Sequence, residues 1–241
     1  MAPQLFGIEH ILYIVITTVL AVVGLLLAKK YAKSEKSQTS VLKILAGFLF
    51  VAIITNRISQ VFRYGTIRWY CIIPDSFCGM TSLVLSLAVL FGKKDNAVLH
   101  FVWLLGLFGG ISTVIYATFL DQDMSFFYIP TISGLLHHSF SATLVVAILM
   151  FKYIDITYKK WYYTLFGFAC YMTVGAFLMH TFSLSDAFHI AEPLLPNTPL
   201  TAWVMAPMYA VGYGLVLWIV EILKKQNIKN ATEVKEEILK T

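Results

Sequence analysis

The stretch "IPDSFCGM", residues 73–80, sets a thiol, Cys78, beside the Asp75 carboxylate and the Ser76 hydroxyl, just before a long apolar run. A thiol near arginines at a helix start ionises more readily and becomes a nucleophile. The base that would take its proton is a neutral imidazole, and the adjacent His137 and His138 supply two candidates. Arg57 and Arg63 would hold an anionic phosphate such as a lipid headgroup. Nucleophile, base and oxyanion donors are the needs of acyl transfer. Two other roles stay open for Cys78: a small packing residue, or a disulfide with Cys71.

Zinc is the competing chemistry, since His10, His137, His138, His180, Asp186 and His189 carry ligand atoms. Adjacent histidines point about 100° apart on a helix, however, and no His-x-x-x-His pair occurs. The last apolar segment has neither histidine nor lysine, which argues against a paired-histidine zinc hydrolase and against a retinal Schiff base. No metal or cofactor is expected.

The elements that position these groups are membrane helices. Of 241 residues, 59% are hydrophobic and 13% charged, against about 25% charged in soluble domains. Mean hydropathy is +0.76. Seven segments are apolar enough to cross a bilayer, at residues 8–28, 41–62, 77–92, 97–118, 131–151, 161–181 and 201–222. The third is the shortest and is expected to begin inside the polar loop before it. The first lacks the basic flank and small-residue cleavage site of a signal peptide. No repeat or long linker interrupts the series. The expected architecture is therefore all-α, one seven-helix transmembrane domain over residues 1–223 and a charged cytoplasmic tail at 224–241.

Lysines orient the chain, because short cationic loops stay on the cytoplasmic side. All fifteen follow the first, third, fifth or seventh segment, and the loop "DQDMSFF" after the fourth is acidic. The N-terminus is expected outside and the C-terminus in the cytoplasm of a bacterial cell. The net charge of +5 then suits anionic inner-leaflet lipid, not nucleic acid. The Asn-Ala-Thr at 230–232 would lie on the wrong side for glycosylation. Gly106 and Gly110, one turn apart, suit close helix packing. The loop of roughly 20 residues before the last segment, with Asp186, His189 and Glu192, is long enough to fold over the outer face.

Ionisable groups within membrane helices are costly, so their depth is informative. Asn56, Gln60 and Arg63 stack in the outer half of the second segment, with Arg57 beside them. Ser82 and Ser86 lie below Cys78, and Ser133, Gly134, His137, His138 and Ser141 share about 140° of one face of the fifth. His10 and His180 lie at the outer ends of the first and sixth. Asn56, Arg57, Gln60, Arg63, Asp75, Ser82, Ser133, His10 and His180 thus form the candidate substrate-binding set around Cys78, His137 and His138. The bland alternative is that each bonds a neighbouring helix. The inner half reads as nearly bare, so no transport path is visible, although a transporter or lipid-binding protein without catalysis remains the alternative.

Three runs, "CIIPDSFCGMTSLVLSLAVLF", "FVWLLGLFGGISTVIYATFLDQD" and "PTISGLLHHSFSATLVVAILMF", resemble in order and spacing the YwaF-like integral membrane proteins of bacteria. These are similar to a eukaryotic transmembrane acyltransferase acting on ether phospholipids, and more distantly to membrane hydrolases of fatty-acid esters. The resemblance is best over about residues 70–150. It implies that Cys78, four residues after Pro74, accepts the acyl group, with His137 or His138 as its partner and a membrane phospholipid or other acyl lipid as substrate. Asp75 and Ser76 stand where bacterial relatives often carry a histidine.

Overall fold

The computed structural model describes residues 3–63, 65–118, 120, 125–195 and 197–238, with side chains as far as 226. The acidic loop at 121–124 and Pro196 lie outside the described residues. The described residues form seven α-helices: α1 (Ile8–Tyr31), α2 (Glu35–Val61), α3 (Phe77–Leu90), α4 (Ala97–Ile115), α5 (Ile129–Met150), α6 (Tyr162–Phe182) and α7 (Ala202–Ile238). Short 3-10 turns precede α3 (Trp69–Ile72) and α6 (Tyr158–Lys160). Six of the helices are long and apolar enough to cross a membrane. α3 has 14 residues, so at 1.5 Å per residue it spans about 21 Å, short of a hydrocarbon core of about 30 Å.

Local sequence sets the helix ends. Ser34 and Ser37 form a reciprocal capping box at the start of α2. The Ser76 hydroxyl accepts from the Gly79 N–H and starts α3, and Asn96 does the same for α4 through Leu99 N–H. Pro130 occupies the first turn of α5, where no N–H is needed. α7 runs on as helix through residue 224 into the charged segment.

α5 is the central post. It packs against α2 on one side and α4 on the other, and α3 closes the group against both; α7 joins through α6, and α1 mainly through α5. Leu42, Ala46, Leu49 and Ile53 form the buried stripe of α2. The α4–α5 contact rests on glycine: a Cβ on Gly110 would stand 2.7 Å from the His138 carbonyl and 2.9 Å from the Ala142 Cβ. Ser141 donates to the Gly106 carbonyl at 3.2 Å beside it. The outward faces remain apolar, as lipid-facing helices require.

At the lysine-rich end, loop residues form a second ionisable cluster around His100. His100, 1% exposed, bonds Asp95 Oδ1 at 2.7 Å, and Lys160 pairs with the other oxygen of the same carboxylate. The Asp155 N–H donates to Asp95 at 2.8 Å, and Lys224 of α7 pairs with Asp155 at 3.0 Å. Burial alone would raise the Asp95 pKa, but Lys160, the Asp155 N–H and His100 hold its carboxyl below the usual range. Asp95 lies five residues before His100, whereas Lys160 reaches it from the loop between α5 and α6.

Candidate functional site

One turn at the start of α3 divides two cavities. Ser76 and Gly79 face a polar cleft of about 180 Å³; Phe77 and Cys78 face an apolar cavity of about 450 Å³. The cleft is closed by Asn56, Arg57, Gln60 and Arg63 of α2 and by Pro130, Gly134, His137 and His138 of α5. The apolar cavity lies between α3, α4 and α7, against Leu104, Phe108, Gly109, Tyr209, Gly212 and Tyr213.

A hydrogen-bonded chain holds the cleft. Asn56 donates through Nδ2 to the Pro130 carbonyl (3.0 Å) and to Ser133 Oγ (3.3 Å), which joins α2 to the start of α5. Its Oδ1 accepts from Arg57 Nε (3.2 Å) and Nη2 (2.8 Å). The Arg57 guanidinium also meets Asp75 at 3.3 Å, and Arg63 donates to Gln60 Oε1 at 3.4 Å. Arg57 is thereby fixed as a fork while a carboxylate from the loop neutralises part of its charge. Two cations facing one polar cleft suit an anionic group.

The two histidines are buried and their ring centroids lie 4.1 Å apart. His137 Nδ1 bonds Ser82 Oγ at 3.0 Å. The His138 ring lies beside the Gly109 backbone of α4. The Cys78 sulfur lies near the Thr113 side chain and would be 3.0 Å from a Cβ on Gly109. Cys78 and His138 therefore both meet α4 at Gly109. Among the described residues no hydrogen bond joins the thiol to either imidazole.

The remaining expected residues are dispersed. His10 is fully buried away from the cleft: its Nε2 bonds the Val114 carbonyl at 2.8 Å and its Nδ1 accepts from Phe6 N–H. It fastens α1 to the end of α4. His180 is exposed on α6 and lines neither cavity. Asp75 is half-exposed and contributes from the rim of the cleft, through Arg57. Ser133 is buried behind it, bonded to the Ile129 carbonyl. These two histidines share depth with the cleft but not position, because depth along a helix leaves its place around the bundle undefined.

All three cysteines are free. Outside the spans, burial and the Asp75 carboxylate push the Cys71 thiol up, against the pull of Arg57 and Arg68. Among the described residues no three His, Cys, Asp or Glu side chains converge on a metal position. The loop before α7 folds back over the site: Phe188 N–H donates to the Asp75 carbonyl at 2.7 Å, and the Phe188 ring is buried against Phe77 and Tyr171. Phe188 and His189 adopt left-handed backbone, φ 55° and 57°, which that burial sustains.

Sequence reasoning missed the α4 and α7 walls. Gly109 and Thr113 are spaced i, i+4, as are Tyr209 and Tyr213, and these small and amphipathic residues were the available signal. The Tyr209 hydroxyl is buried without completing a hydrogen bond to any described group.

A bundle of long apolar helices enclosing a polar cleft defines a multi-pass membrane protein. The chain belongs to the TMEM164 family, whose match covers residues 5–223. No curated protein and no solved structure matches it.

Proposed function

We propose that this protein is a membrane acyltransferase or acyl-lipid hydrolase in which Cys78 accepts the acyl group and His137 or His138 moves the proton. The observation that carries this reading is the turn at which Ser76 and Gly79 face the polar cleft while Phe77 and Cys78 face the apolar cavity. An amphiphile laid across it sets its headgroup by Arg57 and Arg63, its chain along Phe108 and Tyr209, and its ester beside the thiol. The imidazole takes the thiol proton and the sulfur attacks the ester carbonyl. A carbon–sulfur bond forms as the carbon–oxygen bond breaks, and the departing oxygen takes the proton from the imidazolium. A hydroxyl of a second lipid, or water, then gives its proton to the imidazole, attacks the thioester and restores the thiol.

Seven spans, an outer N-terminus and a cytoplasmic C-terminus complete the proposal, with the bacterial plasma membrane as location. The lysine distribution supports the orientation, and the resemblance to YwaF-like proteins supports the location. The charged segment at 224–241 is taken as a cytoplasmic extension, in keeping with a family match that stops at residue 223.

A second reading, lipid or small-molecule binding or transport without catalysis, is favoured by one observation: among the described residues neither imidazole is hydrogen-bonded to the Cys78 thiol, and His137 bonds Ser82 instead. Intact-mass measurement after incubation with a phospholipid or fatty-acyl thioester separates the two. The enzyme gains one acyl mass on Cys78, absent in Cys78→Ala. Full turnover in Cys78→Ala, or lipid retention without any acylation or turnover in the native chain, overturns the first reading.

A further inference from the structure

A second amphiphile site lies between α1 and the α2–α5 pair. The face of α1 that carries Ala21, Gly24 and Ala28 stands off from Val41 of α2 and Phe140 of α5, leaving a groove of about 270 Å³. A Cβ on Gly24 would meet nothing within 4 Å. The hydroxyls in the wall are committed to protein partners. Thr17 donates to the Tyr13 carbonyl (2.7 Å), Thr143 to the Ser139 carbonyl (2.8 Å), and Ser139 pairs with the Tyr13 hydroxyl (2.8 Å). An occupant therefore meets hydrocarbon almost throughout, which suits an acyl chain and not a polar solute.

One end of the groove, at Ala28 and Val41, lies toward the α1–α2 connection, which carries Lys29, Lys30, Lys33 and Lys36, with Lys43 two residues beyond Val41. The single carboxylate between residues 29 and 43, Glu35, is already paired with Lys94 at 2.7 Å. An apolar channel with a cationic mouth matches a lipid that carries negative charge at its headgroup.

We propose that this groove binds an anionic phospholipid, with one acyl chain between α1 and the α2–α5 pair and the headgroup on the lysine cluster. The lipid then supplies contact that α1, which meets the bundle mainly through α5, does not obtain from protein. The site is separate from the Cys78 cavity and stands whether or not Cys78 is catalytic.

Native mass spectrometry of the full chain, released from neutral detergent with phosphatidylglycerol or phosphatidylcholine of identical chains, tests it. Phosphatidylglycerol adducts are expected to survive at least tenfold better. Exchange of Lys29, Lys33 and Lys36 for glutamine, all exposed, removes that preference without disturbing the fold. Gly24→Phe fills the groove and loses the adduct while its melting temperature in lipid-free detergent is unchanged. Equal retention of the two lipids by the native chain overturns the proposal. So does a preference that survives the lysine exchanges, or a groove shown by sizing to hold a second copy that Gly24→Phe releases.

Discussion

Cys78 and His138 converge on one glycine of α4: the sulfur lies where a Cβ on Gly109 would be 3.0 Å away, and the His138 ring lies beside the Gly109 backbone. The two groups come from helices with no sequence proximity, and a residue without a side chain allows both to approach the same turn. A larger residue at 109 acts on the thiol first.

Gly109→Ala is expected to fold and to displace the Cys78 sulfur by a few tenths of an ångström. Acylation or thiol-probe labelling of Cys78, followed by mass spectrometry, slows by about tenfold, in line with the sensitivity of reacting groups to small misplacement. Labelling of the exposed Cys170 is unchanged and serves as the internal reference.

Gly110→Ala wedges α4 from α5, because the new methyl would meet the His138 carbonyl at 2.7 Å. Overpacking of this kind costs about 1–3 kcal/mol. Its detergent melting temperature should fall by several degrees. Gly47→Ala, where the added carbon meets nothing within 4 Å, leaves the melt unchanged or slightly raised. Equal melts for the two variants would refute the packing account.

Arg57→Ala leaves the buried Asn56 Oδ1 without its two donors. An unsatisfied buried acceptor costs about 1–3 kcal/mol. Asp75→Asn removes only a half-exposed partner of the same guanidinium and is expected to shift the melt much less. Binding of an anionic phospholipid in the cleft weakens strongly in the first variant and little in the second, as measured by lipid-dependent thermal shift.

Asp95 makes the opposite end sensitive to acid. Its folded pKa lies below the ordinary 3.8, so the carboxylate stabilises the fold above that value and the contribution is lost as pH falls through the lower folded value. Melting temperature should therefore fall below about pH 4 in the native chain. Asp95→Asn starts lower at neutral pH, since Lys160 and His100 lose their common acceptor charge, and its decline over that acid range is shallower.

The helical nature of the chain and its apolar spans were legible because each depends on properties summed along one segment. The 3.6-residue stripe of Leu42, Ala46, Leu49 and Ile53 needs only α2 to be recognised. The same local logic grouped Asn56, Gln60 and Arg63 on one helix and the two histidines on another. It failed for His10, whose polar depth matched the cleft although its bonds run to Phe6 and Val114. Nor does a single segment show the Asp95 cluster, since Asp155 and Lys160 reach it from the loop between α5 and α6.

Sequence by itself determined the solvent: a composition of 59% hydrophobic residues in runs of membrane length can bury its backbone polar groups in lipid only as helices. It also located the apolar run of the third helix, which starts at Phe77 behind the Ser76 cap and not inside the polar loop before it, as its shortness had suggested. Tertiary structure alone decided which face of that turn meets which neighbour. Ser76 and Cys78 are two residues apart, yet one lines the polar cleft made by α2 and α5 and the other the apolar cavity made by α4 and α7. The physical reason is that a helix specifies the angle between two side chains about its own axis, while the groups that surround them come from whichever helices the packing of Gly106, Gly109 and Gly110 permits to approach.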